Sequence, residues 1–198
     1  MSFQIANLPS VAYKSKLLAG WLGLILLMTL AFASGQLQAQ TFYEGENFSL
    51  EIPQNWEIYE QQSEGDIQEF IFLVPEEVEE VELEKPGFAA NVNVAVEELT
   101  EGFTLEEYVD IVLLQLESSL SEFEKISRRE VLLAGEPGIS IKYSGITAAD
   151  EELIWQEWIT IKNDFAYVIA YTARQEDFSD HQSEIDHILT TFSLVTEF

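Results

Sequence analysis

The 198 residues carry 36 acidic side chains against 9 basic ones, a formal net charge of −27, with 47% hydrophobic residues, 12% aromatics and no cysteine. That much apolar surface excludes wholesale disorder, and the length allows one domain or two small ones. The missing cysteine excludes disulfides, thiolate metal sites, a thiol nucleophile and a cysteine-linked lipid anchor, while the acid excess excludes nucleic acid, whose affinity rests on phosphate neutralisation by Lys and Arg.

The charge is unevenly spread. Residues 1–39 contain Lys14 and Lys16 and no acid, and removing them leaves 7 bases and 36 acids, a net charge of −29. Behind those lysines runs an apolar stretch, Leu17 to Ala33, slightly shorter than the roughly 20 residues of a comfortable membrane span. Small residues follow, with Ala31-Phe32-Ala33 and Leu37-Gln38-Ala39 both fitting a cleavage site. A basic start, an apolar run and small residues predict a signal peptide, the alternative being an uncleaved N-terminal anchor. Either way, residues 40–198 are expected to act outside the cytoplasm as a single domain. Membrane contact is then limited to residues 17–33 in the uncleaved form.

Phe48, Leu50 and Ile52 alternate with polar residues up to Pro53 and predict a first strand; Trp56, Ile58 and Tyr59 begin a second. The continuous run Phe70 to Val74 predicts a strand covered on both faces. Six glutamates within Glu76 to Glu84, closed by Pro86-Gly87, predict an exposed loop. Val92, Val94 and Val96 alternate with Asn91, Asn93 and Ala95, the pattern of a half-buried strand.

A helix follows. Thr104 and Glu107 stand at capping-box spacing, with Phe103 and Tyr108 placed as a hydrophobic staple. Leu105, Tyr108, Val109, Val112, Leu113, Leu116 and Leu120 form one apolar stripe. Arg128 to Leu133 predicts a strand, Ala134 to Gly138 a turn, and Ile139, Ile141 and Tyr143 another strand. Leu153 to Lys162 and Phe165 to Ala173 flank Asn163-Asp164, two residues that tolerate positive φ, so they predict a hairpin. Phe165, Tyr167, Ile169 and Tyr171 share one face; Ala166, Val168 and Ala170 share the other, where small side chains let a helix approach closely. A last helix is predicted from Ser179, with Gln182 at capping-box spacing, burying Ile185, Ile188, Leu189 and Phe192 before a short tail to Val195. Short turns between strands predict a largely antiparallel sheet, and the whole reads as an α+β fold.

Chemistry is sparse. Gly138 to Lys142 lacks the second glycine and the strand-to-helix context of a nucleophile elbow, and there is no phosphate-binding glycine motif. His181 and His187 lie about 120° apart around a helix and cannot clamp one metal between them. His181 with Asp177, Asp180 and Glu184 is a conceivable divalent site, and a solvated helix start is the plainer account. The Glu76 to Glu84 cluster lacks the spacing of a calcium loop. Trp155 and Trp158 point to opposite faces of their strand, each fit for core or for a groove. No pair stands out among 36 acids for acid–base work. Accordingly, no catalytic, cofactor-binding or metal-binding residue is assigned, and no cofactor is expected beyond weak, non-specific calcium or manganese binding.

Two segments carry a family resemblance. Phe42-Tyr43-Glu44-Gly45-Glu46-Asn47-Phe48-Ser49-Leu50-Glu51-Ile52-Pro53-Gln54-Asn55-Trp56 resembles the start of PsbP-type domains, in which a glycine turn leads to F-S-x-x-I-P-x-x-W. Gly135 to Gly138, Trp155 to Trp158, the Asn163-Asp164 hairpin with Tyr167, and Ile185 to Leu194 are similar to the PsbP and DcrB-like exported families. The resemblance implies an α/β/α sandwich around a central, largely antiparallel sheet. It also implies a non-catalytic binding or assembly factor in the periplasm or thylakoid lumen, or outside the cell, with a protein partner. One form of that partner is a membrane complex, since some members assist photosystem II. The alternative is a periplasmic protein that binds a small ligand or divalent metal.

Overall fold

Residues 42–61, 65–75 and 88–195 are described in a computed structural model. The leader expected at residues 1–39 and the acidic loop Glu76 to Glu84 lie outside them. β1 (Phe42–Glu44) and β2 (Phe48–Glu51) form a hairpin. Then come β3 (Trp56–Gln61), β4 (Ile67–Pro75), β5 (Asn91–Glu98) and helix α1 (Leu105–Ser119). The chain continues through β6 (Ser121–Leu133), β7 (Glu136–Ile146), β8 (Glu152–Lys162) and β9 (Phe165–Arg174), and ends with α2 (Gln182–Thr191) and β10 (Ser193–Leu194).

Seven strands form one sheet in the order β3-β4-β5-β9-β8-β7-β6, antiparallel at every junction. β1, β2 and β10 form a second, small sheet. The chain therefore leaves the middle of the large sheet at β5, runs through α1 to the far edge at β6, and folds back strand by strand until β9 seats beside β5. On one face, Tyr108, Val109 and Leu116 of α1 join a cluster with Ile139, Ile141, Trp155, Ile159 and Val168. On the other, Ile185 and Ile188 of α2 and Phe48 and Leu50 of the small sheet join Ile71, Val94, Ile169 and Tyr171. This is the expected α/β/α sandwich. Each large side chain so buried contributes about 1.5–3 kcal/mol, and the apolar alternation of β9 serves both clusters at once.

Local signals hold where backbone chemistry decides. The capping box is present: the Glu107 backbone N–H donates to Thr104 Oγ1 at 3.2 Å, and the Thr104 N–H donates to Glu107 Oε2 at 3.2 Å. Thr104→Ala is expected to lower stability by about 1 kcal/mol, read from the urea midpoint at unchanged slope. Arg128 on β6 pairs with Glu106 and, at 2.8 Å, with Asp110, tying α1 to the sheet edge. Asn163 and Asp164 both have positive φ, 53° and 63°, as a two-residue hairpin requires.

Five expectations are corrected. β5 is buried on both faces, Asn91, Asn93 and Glu97 included, because covering layers lie on either side of the middle of the sheet. β6 starts at Ser121, not Arg128; it is an exposed edge strand with two register shifts that break the alternation. The turn before β7 is only Ala134-Gly135, with φ of 51° and 80°, and pairing resumes at Leu133↔Glu136, so Glu136 to Gly138 are strand. α2 starts at Gln182, not Ser179, and no side chain caps it. The Phe178 carbonyl instead accepts from Tyr171 O–H at 3.1 Å and Gln182 Nε2 at 2.8 Å, while the Phe178 ring packs on Tyr171, which holds the chain off the helical path. Finally, the short tail carries a strand: Ser193 and Leu194 pair with Ser49 and Phe48.

Candidate functional site

Two acids sit where acids are rarely left, inside the layer between α1 and the sheet. Glu97 is 1% exposed and Glu157 is 2% exposed. Each is met by a tyrosine: Tyr108 O–H of α1 donates to Glu97 Oε2 at 2.8 Å, and Tyr143 O–H of β7 donates to Glu157 Oε1 at 2.5 Å. Tyr143 also stacks on Trp155, with ring centroids 5.3 Å apart. Burial pushes both carboxyl groups up to about 7, against the opposing effect of the tyrosine hydrogen bonds. Burial, then the neighbouring carboxylates, raises both tyrosines well above their ordinary range. Asn93 stands in the same cross-strand row as Glu157, with Ala170 between them. Among the described residues, Asn93 Oδ1 and Glu97 Oε1 find no hydrogen-bond partner. A sealed pair of near-neutral acids can store protons, but it offers no opening to a substrate.

A third acid joins the two sheets. Glu69 of β4 accepts from Tyr43 O–H at 2.6 Å, from the Asn47 backbone N–H at 2.8 Å and from Asn47 Nδ2 at 3.0 Å. Its carboxylate lies against Gly45 in the β1–β2 turn.

On the α2 side of β6, β7 and β8 lies a different patch. Arg129, Ser140 and Trp158 stand opposite one another across the three strands, and Lys142 with Gln156 forms the next row on that face. Trp158 and Lys142 are half-buried, Arg129 is exposed, and Ser140 is buried. The Lys142 ammonium lies 3.8 Å from the Phe178 ring centroid.

The residues singled out from sequence are dispersed. His181 packs edge-on against Trp56, and His187 lies 3.2 Å from Glu51. The Glu184 carboxyl is held below its ordinary range, first by the Ser183 hydroxyl and less by His181. Among the described residues no group of three or more His, Cys, Asp or Glu is placed to hold a metal ion. Trp155 is core, as are Tyr167 and Tyr171; Trp158 is half-buried. The sequence does carry a faint signal for the missed acids: Glu157 shares its strand face with Trp155 and Ile159, and Glu97 shares its face with Ala95.

Among curated protein sequences no match is found. Solved structures with this fold include the PsbP of Synechocystis sp. PCC 6803, at 11% identity over 83% of this chain and 99% of that one, TM-score 0.56. LpqN of Mycobacterium tuberculosis, described as involved in cell envelope biogenesis, is similar at 10% identity over 75% and 83%, TM-score 0.55. A Pseudomonas aeruginosa protein of unknown function is similar at 16% identity over 80% and 97%, TM-score 0.50. At such identities the likeness is one of fold. The sequence profile of DcrB, however, matches residues 49–191, a span that takes in the whole large sheet and both helices, and on that match the chain belongs to the DcrB family.

Proposed function

We propose that this protein is an exported, non-catalytic binding factor that acts by surface contact with a protein partner in the cell envelope. One observation carries this: the two carboxyl groups raised by burial, Glu97 and Glu157, are enclosed under α1 and engaged by tyrosines, so they serve the fold. Export is supported by the basic-apolar-small pattern of Lys14 to Ala39 and by family membership. The partner's chemistry is a basic protein surface, because a body with this acid excess steers such a surface towards itself and repels nucleic acid.

The test is fractionation of the native host carrying a C-terminally tagged full chain, with capture and mass spectrometry at low and high salt. The expected result is recovery from an extracytoplasmic fraction together with a basic envelope protein that is lost at high salt. Photosystem subunits among the captured proteins would give it the role known for PsbP. Cytosolic recovery, or substrate turnover that disappears in Glu157→Gln, would overturn the proposal.

A further inference from the structure

Six basic residues lie among those described, and three of them are neutralised: Arg128 by Glu106 and Asp110, Lys162 by Glu136, and Arg174 by Glu151. Of the other three, Arg129 and Lys142 have no carboxylate within ion-pair distance among the described residues. They are also neighbours. Arg129 stands opposite Ser140, and Lys142 is two residues along the same strand, the diagonal position at about 7–8 Å. Two uncompensated cations side by side repel each other, and the Lys142 ammonium is indeed held below its ordinary range, first by burial and then by Arg129.

Their surroundings complete a recognition surface. Phe178 fixes the Lys142 ammonium from one side. The Ser140 hydroxyl accepts from Gln156 Nε2 at 3.4 Å, which leaves its own proton to donate. Trp158, next in the row, packs against the core and is half-buried, so part of its indole remains accessible. A guanidinium, an ammonium and a hydroxyl beside an indole face match an oxyanion carried on a flat apolar body. Among the described residues, the acidic remainder of the molecule places no carboxylate within ion-pair distance of either cation. It does disfavour a multiply charged ligand over a singly charged one.

We propose that Arg129, Ser140, Lys142 and Trp158 form a binding site for an aromatic carboxylate, with the carboxylate between the two cations and the ring against Trp158. This site is independent of the protein partner proposed above. The test is calorimetric titration of the full chain with benzoate, acetate and inorganic phosphate. Benzoate is expected to bind saturably and more tightly than acetate, and phosphate weakly. Arg129→Gln, at an exposed position, and Lys142→Gln, at a half-buried one, are each expected to weaken benzoate roughly tenfold, with Arg129→Gln leaving the melting curve unchanged. Trp158→Leu is expected to reduce benzoate towards acetate; if that variant misfolds, the benzoate-to-acetate ratio on the native chain decides the point. No saturable benzoate binding, binding untouched by both cation variants, or phosphate bound in preference to benzoate would each overturn the proposal.

Discussion

Replacing Glu157 by glutamine is expected to raise the melting temperature at pH 8 and to leave it nearly unchanged at pH 4.5. The carboxyl ionises near 4.5 in a solvated chain and near 7 in the folded one, because burial disfavours the charged form. The folded state therefore holds the proton more tightly. The stability this confers is fully present below pH 4.5, declines as pH rises from 4.5 to 7, and is gone above 7. A difference of this size corresponds to about 3 kcal/mol. Glutamine keeps an acceptor for Tyr143 O–H and has no charge to bury, so the variant does not follow the decline. At pH 8 its advantage amounts to several degrees in melting temperature. Glu97→Gln is expected to act in the same direction over the same window, since burial is again the leading cause and the charge of Asp66 adds to it. Scanning calorimetry at pH 4.5 and pH 8 checks both; an equal effect at the two pH values would show that the buried charge is not what matters.

Gly45→Ala is expected to destabilise the protein by about 2–4 kcal/mol. The reason is space. A Cβ at this position would lie 1.5 Å from Glu69 Oε1, 2.6 Å from Glu69 Cδ and 2.7 Å from Tyr43 Oη. The methyl group must displace a carboxylate that accepts three hydrogen bonds, and so leaves a nearly buried charge without its donors. Gly65→Ala is the contrasting case: its Cβ would meet nothing within 4 Å, but its φ of +66° strains any other residue, and a loss of about 1 kcal/mol is expected. A double-mutant cycle separates the two mechanisms. With Glu69→Ala in the background the clash is removed, so Gly45→Ala should cost much less than it does alone. Full additivity, or a single-variant effect within 0.5 kcal/mol of zero, would refute the steric account.

These two positions mark the boundary of what a linear chain discloses. Thr104 with Glu107, the Asn163-Asp164 hairpin and the two faces of Phe165 to Ala173 are legible because each depends on residues a few positions apart: a cap, a backbone dihedral, a side-chain alternation. The small sheet is less so. Its closing strand, Ser193–Leu194, has no partner in its own neighbourhood and exists because Phe48 and Ser49 wait far upstream. β6 hides for another reason, since an exposed edge strand with register shifts need not alternate.

What the chain determined alone was the periodicity of its strands and of α1, the acid excess, and the family to which it belongs. Only the tertiary structure decided that, among the described residues, Glu69, Glu97 and Glu157 are the buried acids, and that Arg129 and Lys142 stand diagonally on neighbouring strands with no described carboxylate within ion-pair distance. Burial and charge pairing belong to strand order and to the layers that close over a sheet. Glu97, Glu69 and Glu157 look like any other glutamate until α1 covers two of them and the β1–β2 turn covers the third.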